Sequence, residues 1–227
     1  MEVYKKLKDK FSNNFESSIQ VDKDKLTEAE LKAKVIYNFG VLMSKGEESA
    51  TIKCVNEIYD EIFSDLTISI YLSLCSIDNA SRVLLRRVLE LGVATFYFRD
   101  MPHKFWHWRI TNTHESDLSF RENVDFLAGD AFKAYLHNEH GINWSIDKDR
   151  INKLYRELSN VIHGKYETFE TVAANSFDYS EVDFKENIRK IIVCENILIS
   201  CLGARFPKIF EKINQDFPSL SRYKNVY

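Results

Sequence analysis

Breakers are what this sequence lacks. Three prolines (Pro102, Pro207 and Pro218) and seven glycines punctuate 227 residues, whereas a hairpin-rich β protein needs turn residues every few positions. Long stretches with apolar residues three and four apart fill the intervals, which is the period of a helix that buries one stripe. The chain is therefore predicted to be all-α, a single multi-helix bundle. A hydrophobic content of 44%, with 16 Phe and 11 Tyr, is ample for a substantial core.

Periodicity and end signals place the helices. The first is expected near 3–17 and the second from about Thr27, where Thr-Glu-Ala-Glu offers a capping box, to Gly46. Two more are expected at about 48–62 and 65–76, then a long one capped by Asp78 or Asn79 and reaching about Phe98. Pro102 closes that region. A short aromatic helix over His103–Arg109 and a helix at about 117–138 follow, ended by Gly141. Asp147 caps the next, which stops at Gly164 as helices do before a left-handed glycine. Residues 165–180 read as a polar link, followed by helix over about 179–205 and a short helix after Pro207 before a frayed tail.

A net charge of −3 argues against a protein that coats nucleic acid, because such binding rests on a large excess of Lys and Arg. Local basic clusters remain, one at Arg82, Arg86, Arg87, Arg99, Lys104 and Arg109, another at Lys148, Arg150, Lys153 and Arg156. Cys54, Cys75, Cys194 and Cys201 form no Cys-x-x-Cys pair, which fits reduced thiols in a cytoplasmic protein. The most apolar stretches, 66–77 and 191–204, are too short for a bilayer, and no membrane association is expected. Gly-rich phosphate loops, a Gly-x-Ser-x-Gly elbow and acidic metal arrays are missing, so no cofactor or metal is expected. His103 and His107 have metal-ligand spacing in part, with no third ligand at a diagnostic distance. Trp106 and Trp108 beside Lys104 and Arg109 read as aromatic packing under a bend before they read as a base-stacking platform.

The sharpest functional signal is residues 151–164, Ile-Asn-Lys-Leu-Tyr-Arg-Glu-Leu-Ser-Asn-Val-Ile-His-Gly. Arg156 and His163 stand two helical turns apart and share one face with Ser159 and Asn160, while Ile151, Leu154, Tyr155, Leu158, Val161 and Ile162 take the other. An imidazole can take a proton from a ribose 2′-hydroxyl or give one to a leaving 5′-oxygen, and a guanidinium can stabilise phosphoryl charge. Cleavage of RNA at a 2′-hydroxyl needs no metal. A solvated helix face with a dipole-favoured terminal histidine is the ordinary reading of the same residues.

An arginine, six intervening residues and a histidine in a helix of an all-α chain resemble the signature of the HEPN superfamily. The resemblance implies one domain over 1–227, with a bundle core at about 48–205 and accessory helices at 3–45. It implies a metal-independent endoribonuclease acting in toxin or anti-phage defence, with RNA as substrate and a defence or antitoxin protein as partner. It also implies a homodimer in which two polar faces form one cleft. Arg156 and His163 alone carry over as catalytic residues, with Ser159 and Asn160 as secondary contacts. An alternative within the same family is a catalytically inactive helical module that dimerises or docks, and Glu157, directly after the arginine, suits it because its charge disfavours a phosphate.

A second helix adds to the resemblance. In residues 81–90, Arg82, Arg86 and Glu90 recur every four positions, while Arg87 has apolar helical neighbours and must be paired, snorkelling or at an interface. Leu-Arg-x-x-x-Glu followed later by Leu-Ser-x-x-x-His-Gly is similar to a pairing in bacterial helical families related to HEPN. It implies that the two helices face each other, with Arg86 and Glu90 supporting the histidine and Arg87 a further supporting or substrate-binding candidate.

Overall fold

The computed structural model describes residues 2–111, 119–163, 165 and 177–223. Among them every regular element is helical. The chain runs through α1 (Glu2–Val21), α2 (Lys23–Ser44), α3 (Ala50–Leu74), α4 (Asp78–Asp100) and α5 (Pro102–Ile110). It continues through α6 (Phe120–Ala128), α7 (Asp130–His140), α8 (Lys148–Ile162), α9 (Glu181–Arg205) and α10 (Pro207–Asp216), and closes on a 3-10 turn at Pro218–Tyr223. No helix among the described residues is long and apolar enough to cross a membrane.

Side-chain caps decide where several helices start. Asp22, Ser49, Ser119, Asp147 and Ser180 each accept a backbone N–H three residues on, satisfying a donor that the helix cannot. Pro102 and Pro207 open α5 and α10, where a missing N–H costs nothing. Asp22 corrects the expected start of α2: Thr27 lies inside the helix and donates its hydroxyl to the Lys23 carbonyl at 2.8 Å. At α4 neither Asp78 nor Asn79 caps; the preceding Ile77 supplies no side-chain bond.

Two further boundaries differ from the expectation. Residues 50–74 form one helix rather than two, and at the polar interruption Ser64–Asp65 the Asp65 carboxylate accepts from Arg87 of the neighbouring helix. The helix expected over 117–138 is instead α6 and α7, separated at Gly129, and its first two residues lie outside the described ones. The stop expected at Gly164, most of the polar link, and the tail beyond Tyr223 also lie outside the described residues.

Helices α2, α3, α4 and α9 pack on one another, and α6 and α8 lie against α4. The interior includes Ile36, Phe39, Ile62, Leu66, Leu85, Leu89, Leu198 and Leu202, all buried. Each such side chain contributes about 1.5–3 kcal/mol relative to exposure. Helix α2, which the family resemblance sets among the accessories, buries Ala33, Val35, Ile36 and Phe39 in this core. Its contact with α3 depends on Gly40, where an added Cβ would lie 2.6 Å from the Cβ of Tyr59. Trp144 donates its indole N–H to Ser200 on α9 at 2.9 Å, which fixes the segment that leads into α8.

Candidate functional site

Helix α8 is strongly two-faced. Ile151, Leu154 and Leu158 are buried against the bundle, and Asp147 holds the helix start through the Arg150 amide at 2.9 Å. At the other end His163 is the C-cap: its amide donates to the Ser159 carbonyl at 3.0 Å, and the Lys165 amide donates to the Asn160 carbonyl at 3.2 Å. The last turn is thereby closed, and both Arg156 and His163 stand exposed on the outer face.

No hydrogen bond joins the two head groups among the described residues. Seven residues of helix separate their Cα atoms by about 10 Å along the axis. Arg156 donates Nε to the Asn152 carbonyl at 3.3 Å, which draws the guanidinium back toward the helix start and away from His163. The imidazole of His163 makes no hydrogen bond among the described residues. Ser159 is turned inward, only 8% exposed, and donates its hydroxyl to the Tyr155 carbonyl at 2.7 Å. It is spoken for by its own helix, whereas Asn160 stays half-buried at the edge of the face.

Helices α4 and α8 do face each other, but the groups that meet are Arg86, Glu90 and Tyr155. Arg86 reaches the Tyr155 hydroxyl at 2.8 Å and Glu90 at 2.9 Å, and Tyr155 donates to Glu90 at 2.9 Å. The tyrosine ring lies flat on Phe120, with centroids 3.8 Å apart, and the Arg86 guanidinium sits 5.0 Å from its centre. Burial works to lower the Arg86 pKa, but the Tyr155 hydrogen bond and the Glu90 charge outweigh it and leave it raised. Burial likewise pushes the Tyr155 phenol up, with Arg86 opposing. Arg86 and Glu90 thus close on Tyr155 rather than on His163. Sequence reasoning placed Tyr155 on the apolar side and missed it; its position at the edge of that side, with a hydroxyl to satisfy, was the available signal.

Arg87 belongs elsewhere. It makes two bonds to Asp65, at 2.8 and 2.9 Å, and one to Glu61 at 2.9 Å, tying α4 to α3. Of the three expectations for it, pairing is the one realised. Burial raises the Asp65 pKa despite the arginine, a sign that desolvation exceeds attraction at this contact.

Sequence reasoning also passed over a buried charged cluster. Lys32, fully buried, donates to Glu28 at 2.6 Å and to Asn196 at 2.5 Å. Glu195 is buried beside them with both oxygens unpartnered, and burial drives its pKa well above the usual carboxylate range. The visible signal was a lysine among Ala29, Ala33, Val35 and Ile36, and a Glu-Asn pair inside an apolar run. Among the described residues no group of three potential metal ligands is assembled, and the four cysteines are free thiols.

No family model, curated protein or solved structure matches this chain. The molecule is an all-α bundle that presents an arginine and a histidine on the outer face of one well-anchored helix.

Proposed function

We propose that this protein is a metal-independent endoribonuclease of the HEPN type, with Arg156 and His163 as its catalytic residues. The observation that carries the reading is their exposure on one face of α8 while the opposite face is locked into the core. His163 accepts the ribose 2′-hydroxyl proton or protonates the departing 5′-oxygen, and Arg156 neutralises charge on the phosphoryl oxygens. The 2′-oxygen forms a bond to phosphorus as the bond to the 5′-oxygen breaks, leaving a 2′,3′-cyclic phosphate and a 5′-hydroxyl. A second copy supplies the facing surface, as the resemblance implies, and the cleft forms in a homodimer. Such an enzyme acts on cytoplasmic RNA in a toxin or anti-phage defence setting, held in check by a partner protein.

Purified protein incubated with RNA in EDTA is expected to generate new 5′-hydroxyl ends, and Arg156→Ala or His163→Ala to slow this by about 100-fold or more. Cleavage unchanged in both variants refutes the assignment. The bond from Arg156 to Asn152 favours one other reading, a catalytically inactive dimerisation or docking module whose polar face is a contact surface. Dimers that bind partners without producing RNA ends would identify that module.

A further inference from the structure

We infer that the groove between α8 and α9 holds the phosphodiester backbone of a single-stranded RNA and leads it onto the Arg156–His163 face. The groove, about 210 Å³, is walled by Arg150, Lys153 and Glu157 from α8 and by Arg189 and Lys190 from α9, over a floor of Leu154 and Val193. Its cations are in two states. Arg189 and Lys190 are neutralised in part, both by Glu186 at 2.8 Å, with Glu157 3.8 Å from Lys190. Arg150 and Lys153 are exposed, and their side-chain nitrogens have no partner among the described residues. Four cations face two carboxylates, so the groove keeps an excess of positive charge in a chain whose net charge is −3.

Position supplies the second argument. Around α8, with Arg156 at zero, Lys153 falls at about 60° and Arg150 at about 120°, while His163 falls at about −20°. The polar sector of the helix therefore runs from His163 past Arg156 into the groove, with the acidic Glu157 inside it at about 100° and 3.8 Å from Lys190. Along the axis, Lys153 and His163 are about 15 Å apart, a span a few nucleotides long. The guanidinium of Arg150 and the ammonium of Lys153 suit phosphate oxygens, and the aliphatic floor accepts a ribose or base edge without reading its sequence. This inference rests on the reading that the protein handles RNA, but its test does not need cleavage.

The test uses full-length protein carrying His163→Ala, titrated against a fluorescent oligouridylate by anisotropy at several salt concentrations. The charge reversals Arg150→Glu and Lys153→Glu together are expected to weaken binding by about 10-fold or more. They are also expected to flatten the slope of log affinity against log salt by about 0.7 for each phosphate no longer neutralised. Lys208→Glu, at an exposed position of α10, is the control and is expected to leave both unchanged. The inference is overturned if the parent does not bind oligouridylate, if the groove reversals bind like the parent, or if Lys208→Glu weakens binding equally. Polyglutamate that displaces the RNA at equal concentration also overturns it, in favour of an acidic protein partner. Groove-dependent binding in a wild-type protein that never cuts RNA leaves the groove standing and refutes only the nuclease.

Discussion

Replacing Lys32 by Met isolates a fully buried ion pair in the core. Lys32 is fully buried, with its ammonium 2.6 Å from Glu28, 2.5 Å from Asn196 and 5.7 Å from the ring centre of Tyr223. Glu28, 2% exposed, keeps a second bond to the half-exposed Lys25 at 2.7 Å. Burial works to raise the Glu28 pKa, but the two lysines together leave it lowered. Lys32→Met preserves volume, removes the charge, and leaves a carboxylate and an amide oxygen buried without their main partner. Breaking a buried pair from one side costs about 3–5 kcal/mol. For a chain of this length that lowers Tm by roughly 6–20 °C, at about 2–4 °C per kcal/mol.

The double variant Glu28→Leu/Lys32→Met removes both charges, and because buried pairs replaced by apolar residues are close to neutral, it is expected to recover most of the loss. Urea unfolding followed by far-UV circular dichroism measures all three variants, with Glu28→Leu completing the cycle. If Lys32→Met lies within about 1 kcal/mol of wild type, or if the double variant is as unstable as the sum of the singles, then the cluster is not coupled and the reasoning fails.

Two other outcomes are expected. Burial pushes the Asp78 carboxyl up from 3.8 to about 6, with Arg82 opposing; since the folded state holds the proton more tightly, this contribution to stability is full below about pH 4 and is lost as pH rises through 6. Asp78→Asn is therefore expected to be more stable than wild type at pH 7–8 by on the order of 2–3 kcal/mol, less up to about 1 for the lost charge at the α4 start, and equal stabilities across pH 4–8 refute this. At the α2–α3 contact, Gly40→Ala gains about 1 kcal/mol of helix propensity, but its Cβ would sit 2.6 Å from that of Tyr59. Overpacking of about 1–3 kcal/mol is expected to win, so a raised melting temperature would show that the helices separate freely.

The residues of α8 show what could be read in advance. Its start at Asp147, its buried stripe of Ile151, Leu154 and Leu158, and the shared face of Arg156 and His163 all depend on interactions within a few residues of chain. So does the all-α class, which follows from the near absence of breakers. A helix is a short-range object, and its cap and its faces are written in consecutive letters. Even so, the cap of α2 went to Asp22, which accepts the Lys25 amide, and Thr27, five residues on, lies a turn inside the helix with its hydroxyl on the Lys23 carbonyl.

Tertiary structure decided the partners. Arg87 took Asp65 and Glu61, on the polar stretch of α3. Arg86 and Glu90 took Tyr155, which left His163 at the surface. Lys32 became a core residue only because Asn196, from the far end of the chain, arrived beside it. The local sequence determines which side of a helix is polar. Which polar groups meet depends on how helices dock, where a contact between residues 164 positions apart has the same strength as one between neighbours and leaves no periodic trace.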